Sequence, residues 1–250
     1  MTQFPTPHEA RLLAELLSHL ADKTTPKVSA TPLTAFLPIT GNNYRHDLML
    51  VGRAVNGWTL PDFPNGFSLP ECKAPARAQA IAQAAILASQ DPAQCPMQWI
   101  AERWHAPSNQ YPMSRSAFFR LAKALIAELN LSRPTDPSWP SCLAWTNLYK
   151  LAPAHGGNPS DPLCRAILED SIAIFHAELS ARRPTRVLYL TGIDWARPFL
   201  PQHATPIERL GTFVEHAFSL NGQRHVVAKH PQAKPLRPFL DEVLAAFGRA

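Results

Sequence analysis

Four short apolar runs in this chain each end in a turn that carries polar or charged side chains. The runs lie in residues 46–58, 142–153, 186–192 and 224–232. Two of the side chains suit recognition or catalysis. The amide of Asn147 can donate and accept hydrogen bonds in one plane, and His230 can donate to a negative charge that develops during a reaction. The other candidate positions at these ends are Gly52, Arg53, Asn56, Lys150 and Lys229.

These residue types also have ordinary structural interpretations. An Asn at the end of a strand often caps the next turn, and a His-Pro pair often simply forms a turn. The chain contains no GxSxG, P-loop or GxGxxG motif. The best-known signatures of hydrolase, nucleotide and dinucleotide sites are therefore missing, and any chemistry must come from the strand ends together.

The apolar runs predict a parallel α/β sheet. Each run is short, rich in Val, Leu and aromatic residues and bounded by turn residues, as buried strands are. Helical stretches separate most of the runs, and this alternation is typical of parallel strands. Because ligands of such sheets bind outside the carboxyl ends of the strands, we expect the strand-end residues to converge on one crevice.

Local signals predict the helices and one hairpin. Thr6 can cap a first helix, and Pro7 suits its first helical position. Glu9 completes a capping box with Thr6. Further helices are predicted over residues 74–89, 114–130, 162–181 and 235–248. The Asn221-Gly222 pair predicts a type I′ turn, which makes residues 213–229 a β-hairpin.

Two of these helices have predicted caps or buried faces that the structure can test. Ser114 is the expected cap of the third helix, in which Phe118 should face inward. In the last helix, Leu236 should begin the buried stripe.

Length and composition indicate one domain over residues 1–250, with an N-terminal helix and wrapping segment at 1–45 and an insertion at 68–113. The net charge of +5 makes a polyanion a plausible partner, although charge alone is weak support. No run approaches the roughly 20 apolar residues that span a bilayer, and the N-terminus lacks the apolar core of a signal peptide. We expect a soluble, cytoplasmic monomer.

The cysteines do not suggest a metal site. They are far apart, and none belongs to a CxxC or CxxH pair of the kind that chelates zinc or an iron–sulfur cluster. The four are Cys72, Cys95, Cys142 and Cys164. We expect reduced thiols and no metal.

Taken together and in order, the strand ends resemble the uracil-DNA glycosylase superfamily. The segments "VGRAVNGW" (51–58), "WTNLYKLAP" (145–153) with "GGNP" (156–159), and "KHPQ" (229–232) are similar to its glycine-led loop, its base-reading Asn motif and its His-Pro motif. The middle segment looks like the NxxKxxPPxNxP pattern of the bacterial and archaeal branches. The resemblance extends from residue 46 to residue 248.

The resemblance implies a fold, an activity and several roles. The fold would be a three-layer α/β/α sandwich whose central, mostly parallel sheet has four strands plus one antiparallel hairpin strand. The activity would be that of a monofunctional DNA glycosylase, which flips a pyrimidine out of DNA and hydrolyses its N-glycosidic bond without a cofactor. Asn147 would read the base, His230 would donate to the departing base, and Phe67 would stack on it, although a core Phe beneath the loop is an equal alternative.

Several positions depart from the family pattern. Ala54 stands where the water-activating residue is usual, so Asn56 and Asp62 are the candidates for that role. Gln232 replaces a Ser, and Leu151 stands where one branch has an iron–sulfur cysteine, so no cluster is expected.

The base itself is left open. Strict uracil enzymes have a Tyr at the position of Asn56 that shields the pyrimidine C5 edge. A smaller residue leaves room for a C5 substituent, so the substrate would be a C5-modified pyrimidine, as in phage defence, or uracil, as in repair.

DNA, single- or double-stranded, is the partner that the resemblance implies. Arg53 could meet a phosphate or the base, or be an ordinary surface arginine. The residues expected to bind phosphates are Arg115, Lys150, Lys229, Lys234 and Arg237. Two other classes stay open, a non-catalytic nucleic-acid-binding module and a hydrolase of free nucleosides or nucleotides.

Overall fold

The computed structural model describes residues 5–23, 31–90, 96–107, 110–201 and 211–248. The chain forms two compact units. The first contains Met1–Ile39, Gly52–Asp91 and Thr146–Arg182, and the second contains Thr40–Val51, Pro92–Trp145 and Arg183–Ala250. Each unit is assembled from three separate stretches, so the chain passes repeatedly between them. The single domain expected over residues 1–250 stays a prediction.

The fold is mixed α/β, with a mostly parallel sheet of six strands and a small antiparallel sheet of two. The described strands are β1 (Leu33–Ala35), β2 (Ile39–Thr40), β3 (Leu48–Gly52), β4 (Leu143–Asn147), β5 (Leu151–Pro153), β6 (Arg186–Leu190), β7 (Val214–Leu220) and β8 (Gln223–Ala228). The larger sheet has the order β2-β4-β3-β6-β8-β7, and β1 pairs with β5. The four predicted strands are thus confirmed as β3, β4, β6 and β8.

The strand count of the predicted sheet needs a correction. Its central four strands are joined not only by the expected hairpin strand β7 but also by β2, which pairs with β4 at the edge. The small β1–β5 sheet was not expected either. Strands of two or three residues are too short to show an alternating or continuous apolar pattern, which is why the sequence does not reveal them.

The apolar residues of the central strands are buried in the structure. All five residues of β3 are buried, as are the last four of β6 and of β8. The strands pair in parallel, with Leu50 opposite Leu188 and Leu188 opposite Val226. A continuous apolar run is the pattern expected of parallel strands covered on both faces. The polar strand-end residues accordingly follow β3, β4 and β8.

The described helices are α1 (Pro7–Lys23), α2 (Pro75–Ala88), α3 (Gln98–Glu102), α4 (Ala117–Glu128), α5 (Asp161–Arg182), α6 (Ile193–Ala196) and α7 (Leu236–Ala246). The capping box of α1 is confirmed. The Thr6 N–H donates to Glu9 Oε2 over 2.6 Å, and the Glu9 N–H donates to Thr6 Oγ1 over 3.2 Å. None of the described helices has the length and apolar character needed to cross a membrane.

The first turns of two helices differ from the prediction in their cap or in the residue that is buried. Residues Met113–Arg115 form a 3₁₀ turn, so Ser114 cannot cap, and Ser116 accepts the Phe119 N–H over 3.4 Å instead. Phe119 is buried in place of Phe118, which is only half-buried. In α7, Leu236 is 37% exposed, and Phe239 takes the buried position.

The hairpin is confirmed as an antiparallel pair of β7 and β8. Asn221 and Gly222 both have positive φ angles, 50° and 77°. This is the geometry of a type I′ turn, whose twist matches that of the flanking strands.

The cysteines are consistent with free thiols where they are described. Cys72 and Cys142 are buried, and Cys164 is half-buried. Burial raises the pKa of Cys72 and of Cys164 to about 11. Cys95 lies outside the described residues.

A row of aromatic rings crosses the sheet beside the hairpin. The ring of His225 on β8 stacks on Phe218 with centroids 4.6 Å apart. Its Nδ1 lies 3.1 Å from the hydroxyl of Tyr189 on β6. His225 is almost fully buried, and burial lowers its pKa from 6.5 to about 4. The neutral imidazole is therefore the form compatible with the folded sheet.

This burial predicts a specific loss of stability in acid. As the pH falls below about 6.5, the unfolded chain binds a proton at His225 that the folded chain does not bind until about pH 4. Stability present above pH 6.5 should therefore fall by about 3 kcal/mol across this window. Urea unfolding between pH 7.5 and 4 should show that His225→Phe removes this part of the slope, whereas substitution of the exposed His105 by Phe does not. Equal slopes for the native chain and His225→Phe would contradict the assignment.

Candidate functional site

In the first unit, the ends of β3 and β4 meet at Gly52 and Asn147. The Leu148 N–H donates to the Gly52 carbonyl over 2.9 Å, and the Tyr149 N–H donates to the Arg53 carbonyl over 3.0 Å. A Cβ atom added to Gly52 would lie only 2.3 Å from Asn147 Oδ1. A glycine is therefore needed here because the Asn147 amide lies directly against the backbone.

The side chain of Asn147 is one of several in this unit with a buried polar atom that makes no hydrogen bond to the described residues. The residue is 2% exposed, and its Nδ2 has no hydrogen-bond partner among the described residues. A buried donor left without a partner costs about 1–3 kcal/mol. Polar groups in this state are rare in folded proteins and call for an explanation such as a bound water or ligand.

The prediction that Lys150 binds a DNA phosphate is wrong. Lys150 is fully buried, with its Nζ 2.7 and 2.8 Å from the two carboxylate oxygens of Glu178 on α5. It also donates to Thr146 Oγ1 over 3.1 Å and to the backbone carbonyl of Asn147 over 2.5 Å. A side chain so enclosed cannot reach a phosphate, and it instead fixes the backbone that carries the Asn147 amide.

Burial acts on both partners of this ion pair. It lowers the pKa of Lys150 and raises the pKa of Glu178, because each charge has lost its water. Their mutual attraction opposes both shifts. The pair is held charged only as long as both members are present.

A second buried ion pair lies in the same unit. Arg182, at the end of α5, bonds through Nη1 to Glu9 Oε1 of the α1 capping box and through Nη2 to Glu9 Oε2 over 3.4 Å. Glu178 and Arg182 were not among the predicted residues. Their helical spacing after the buried Ile174 and Phe175 could have revealed them, since it puts charged side chains on the apolar face of α5.

Asn56 is occupied by a structural contact. Its Oδ1 accepts the Gly157 N–H over 2.8 Å. Gly156 and Gly157 have φ angles of 98° and 93°, which only glycine adopts readily. Asn56 thus holds the glycine loop after β5, and its carbonyl oxygen is partly used. Asp62, the other candidate for water activation, is exposed and makes no hydrogen bond or ion pair with the described residues.

Phe67 occupies a core position. The residue is 2% exposed, its backbone exchanges hydrogen bonds of 2.8 and 2.9 Å with Leu33, and its ring packs edge-on against Phe63. A base could stack on this ring only if a neighbouring group moved. Arg53 is half-buried, and burial lowers its pKa.

In the second unit, His230 follows β8 and is half-buried. Its Nδ1 accepts the Gln232 N–H over 3.3 Å. In the neutral ring, an Nδ1 that accepts must leave the proton on Nε2. The turn therefore orients His230 so that Nε2 is a hydrogen-bond donor.

The remaining predicted phosphate-binding residues differ in availability. Arg115 is exposed, Lys229 is half-buried, and Lys234 Nζ lies 3.4 Å from the Gln232 carbonyl. Arg237 is 65% exposed but bonds to Glu128 over 2.7 Å and to Asp241 over 2.9 Å. These carboxylates raise the pKa of Arg237 and would compete with a phosphate.

The structure thus brings together Gly52 with Asn147, and Asn56 with the glycine loop, within the first unit. The convergence of His230 and Lys229 with them stays a prediction. Within the described ranges, no group of three or more His, Cys, Asp or Glu residues is arranged to hold a metal ion.

The buried pair predicts strongly non-additive stability effects. Lys150→Met strands the Glu178 carboxylate and should lower the free energy of unfolding by about 3–5 kcal/mol, as should Glu178→Leu. In the double variant both charges are gone, so its loss should be well below the sum of the two. Urea denaturation of the four proteins gives the coupling energy, and additive losses would show that the two side chains do not depend on each other.

The contact between Gly52 and Asn147 predicts a second coupling. Gly52→Ala should cost about 1–3 kcal/mol because the new methyl group displaces the amide. The same change in an Asn147→Ala background should cost much less, since the amide is absent. Thermal unfolding measures both differences. A Gly52→Ala cost that is identical in the two backgrounds would contradict the close approach.

Comparisons with known proteins do not add to these observations. No protein-family model matches the chain, and no curated protein matches it either.

Proposed function

We propose that the protein is a monofunctional DNA glycosylase that accepts a pyrimidine rotated out of DNA and hydrolyses its N-glycosidic bond. The observation that carries the proposal is the buried Asn147 amide at the end of β4, whose Nδ2 has no partner in the part of the chain that the structure describes. The α/β fold with polar residues after its strands is compatible with it. The finer arrangement, a three-layer α/β/α sandwich like that of the uracil-DNA glycosylase superfamily, belongs to the same proposal.

Recognition would use the complementary halves of one amide. A pyrimidine edge offers a carbonyl oxygen to an N–H donor and a ring or exocyclic nitrogen to a carbonyl acceptor. Because Asn147 is as buried as Phe67, a neighbouring group must move before a base can reach Nδ2. A base that then supplies the missing partner regains the desolvation energy of that group, about 1–3 kcal/mol. This gain offsets part of the few kcal/mol needed to unstack the nucleotide.

Bond cleavage would use a donor and a base. Departure of the pyrimidine leaves negative charge on it, and His230 Nε2 is the proposed donor to that charge. The nucleophilic water needs a proton acceptor, for which a carboxylate is better suited than an amide. Since Asn56 Oδ1 already accepts from Gly157, Asp62 is the proposed acceptor, and Asn56 supports the loop.

One observation favours a second candidate, a hydrolase of free nucleosides or nucleotides. Of the five residues expected to bind phosphates, Lys150 is buried and Arg237 is paired with two carboxylates. Fewer cations are therefore available for a DNA backbone than the sequence indicates. Both candidates keep the role of Asn147, and they differ in substrate.

Single-turnover base release tests the proposal. The full chain is incubated with oligonucleotides that contain uracil or 5-hydroxymethylcytosine, and with the corresponding free nucleosides. Abasic sites in the oligonucleotides are revealed by alkali, and base released from the nucleosides is measured by chromatography. Asn147→Ala and His230→Ala should each lower the rate of release from DNA by about 10²-fold or more, as for a lost transition-state donor. The exposed residues Asn42 and His105 provide matched control substitutions to Ala, which should leave the rate unchanged.

The outcomes separate the candidates. Release from DNA that is equal in the native chain and both variants would remove these residues from the site. Release from nucleosides alone would establish the second candidate. No release from any substrate would contradict both proposed activities. Because Asn56 is smaller than a Tyr shield, we expect 5-hydroxymethylcytosine to be released at least as fast as uracil.

A further inference from the structure

A polar cleft of about 850 Å³ lies in the second unit, at the start of two strands rather than at their ends. One wall comes from the segment before β3, with Asn43, Arg45 and Asp47. Another wall comes from residues 130–136, which follow α4. This volume falls in the range of pockets that hold small ligands.

Three charged side chains of this cleft form no hydrogen bond or ion pair within the described part of the chain. Arg45 and Arg133 are exposed, Asp47 is half-buried, and none of the three side chains forms a hydrogen bond or ion pair there. The cleft therefore offers two guanidinium groups and one carboxylate to a ligand.

The other carboxylate of the cleft is already used. Asp136 accepts from Ser132 Oγ over 2.9 Å and from the Ser138 N–H and Oγ over 2.8 and 2.7 Å. These bonds lower the pKa of Asp136, and the charge of Arg133 makes a smaller contribution. Asp136 thus stabilises its own loop and leaves the arginines without a fixed counterion.

Both walls are held in place by the backbone. His46, between Arg45 and Asp47, has a φ angle of 62°, and its carbonyl accepts from the N–H and Oγ1 of Thr185 over 2.6 and 2.7 Å. Asn130 ends α4 in the left-handed conformation, and the next N–H returns to Ile126 over 3.0 Å. A cleft with fixed walls loses little entropy when a ligand binds.

We propose that this cleft binds a nucleoside monophosphate unit, either free or within a DNA strand. Arg45 and Arg133 bind the phosphate, because the guanidinium fork matches phosphate oxygens. Asp47 accepts from a sugar hydroxyl or a base amino group. A bare anion is disfavoured because it is far smaller than the cleft and would be repelled by Asp47.

Isothermal titration of the full chain with 2′-deoxycytidine 5′-monophosphate, deoxycytidine and inorganic phosphate tests this assignment. Arg45→Ala and Arg133→Ala should each weaken nucleotide binding about tenfold, which corresponds to about 1.4 kcal/mol. Arg165→Ala, which removes an exposed charge from α5, is the control and should have no effect. Asp47→Asn should weaken binding of the nucleotide but not of phosphate.

The source of the nucleotide is resolved by adding a tetradeoxycytidylate. Tighter, arginine-dependent binding of the tetramer assigns the cleft to a DNA strand, and equal binding assigns it to free nucleotides. Nucleotide affinity that is unchanged in both arginine variants would overturn the proposal. So would inorganic phosphate that binds as tightly as the nucleotide. Base release is a separate measurement, so its failure would not affect this result.

Discussion

The ion pair between Lys150 and Glu178 is the interaction on which the first unit depends. Two opposite charges are fully buried side by side, and Lys150 also binds the carbonyl of Asn147 and the hydroxyl of Thr146. The desolvation of each charge is tolerable only beside the other. The helix α5 and the end of β4 are therefore locked to one arrangement, and the position of the Asn147 side chain follows from it.

The buried ion pair gives Asn147 and Lys150 different roles from those that the sequence predicts. The sequence suggests two surface groups, one for a base and one for a phosphate. The structure instead has one candidate binding group and one buried support, since the lysine turns inward and holds the backbone of the asparagine. Gly52 completes the arrangement because any side chain there would occupy the space of the amide.

Features with local causes could be predicted from the sequence, and features set by distant packing could not. The capping box at Thr6 and Glu9, the Asn221-Gly222 turn and the central strands each follow from a few adjacent residues. The burial of Lys150 depends on a carboxylate 28 residues away, and the loss of the cap at Ser114 depends on a 3₁₀ turn. Strands as short as β2 leave no readable pattern at all.

The double role of Glu9 has a consequence for synthesis of the chain on the ribosome. This residue both caps α1 and neutralises Arg182, which is made 173 residues later. The nascent helix α1 can form early from its own local signals. The Glu9 carboxylate, however, can pair with Arg182 only after α5 has been synthesised. Because α1 also packs against α2, its apolar face can be covered early, and only its docking on α5 through Glu9 and Arg182 is a late, long-range step.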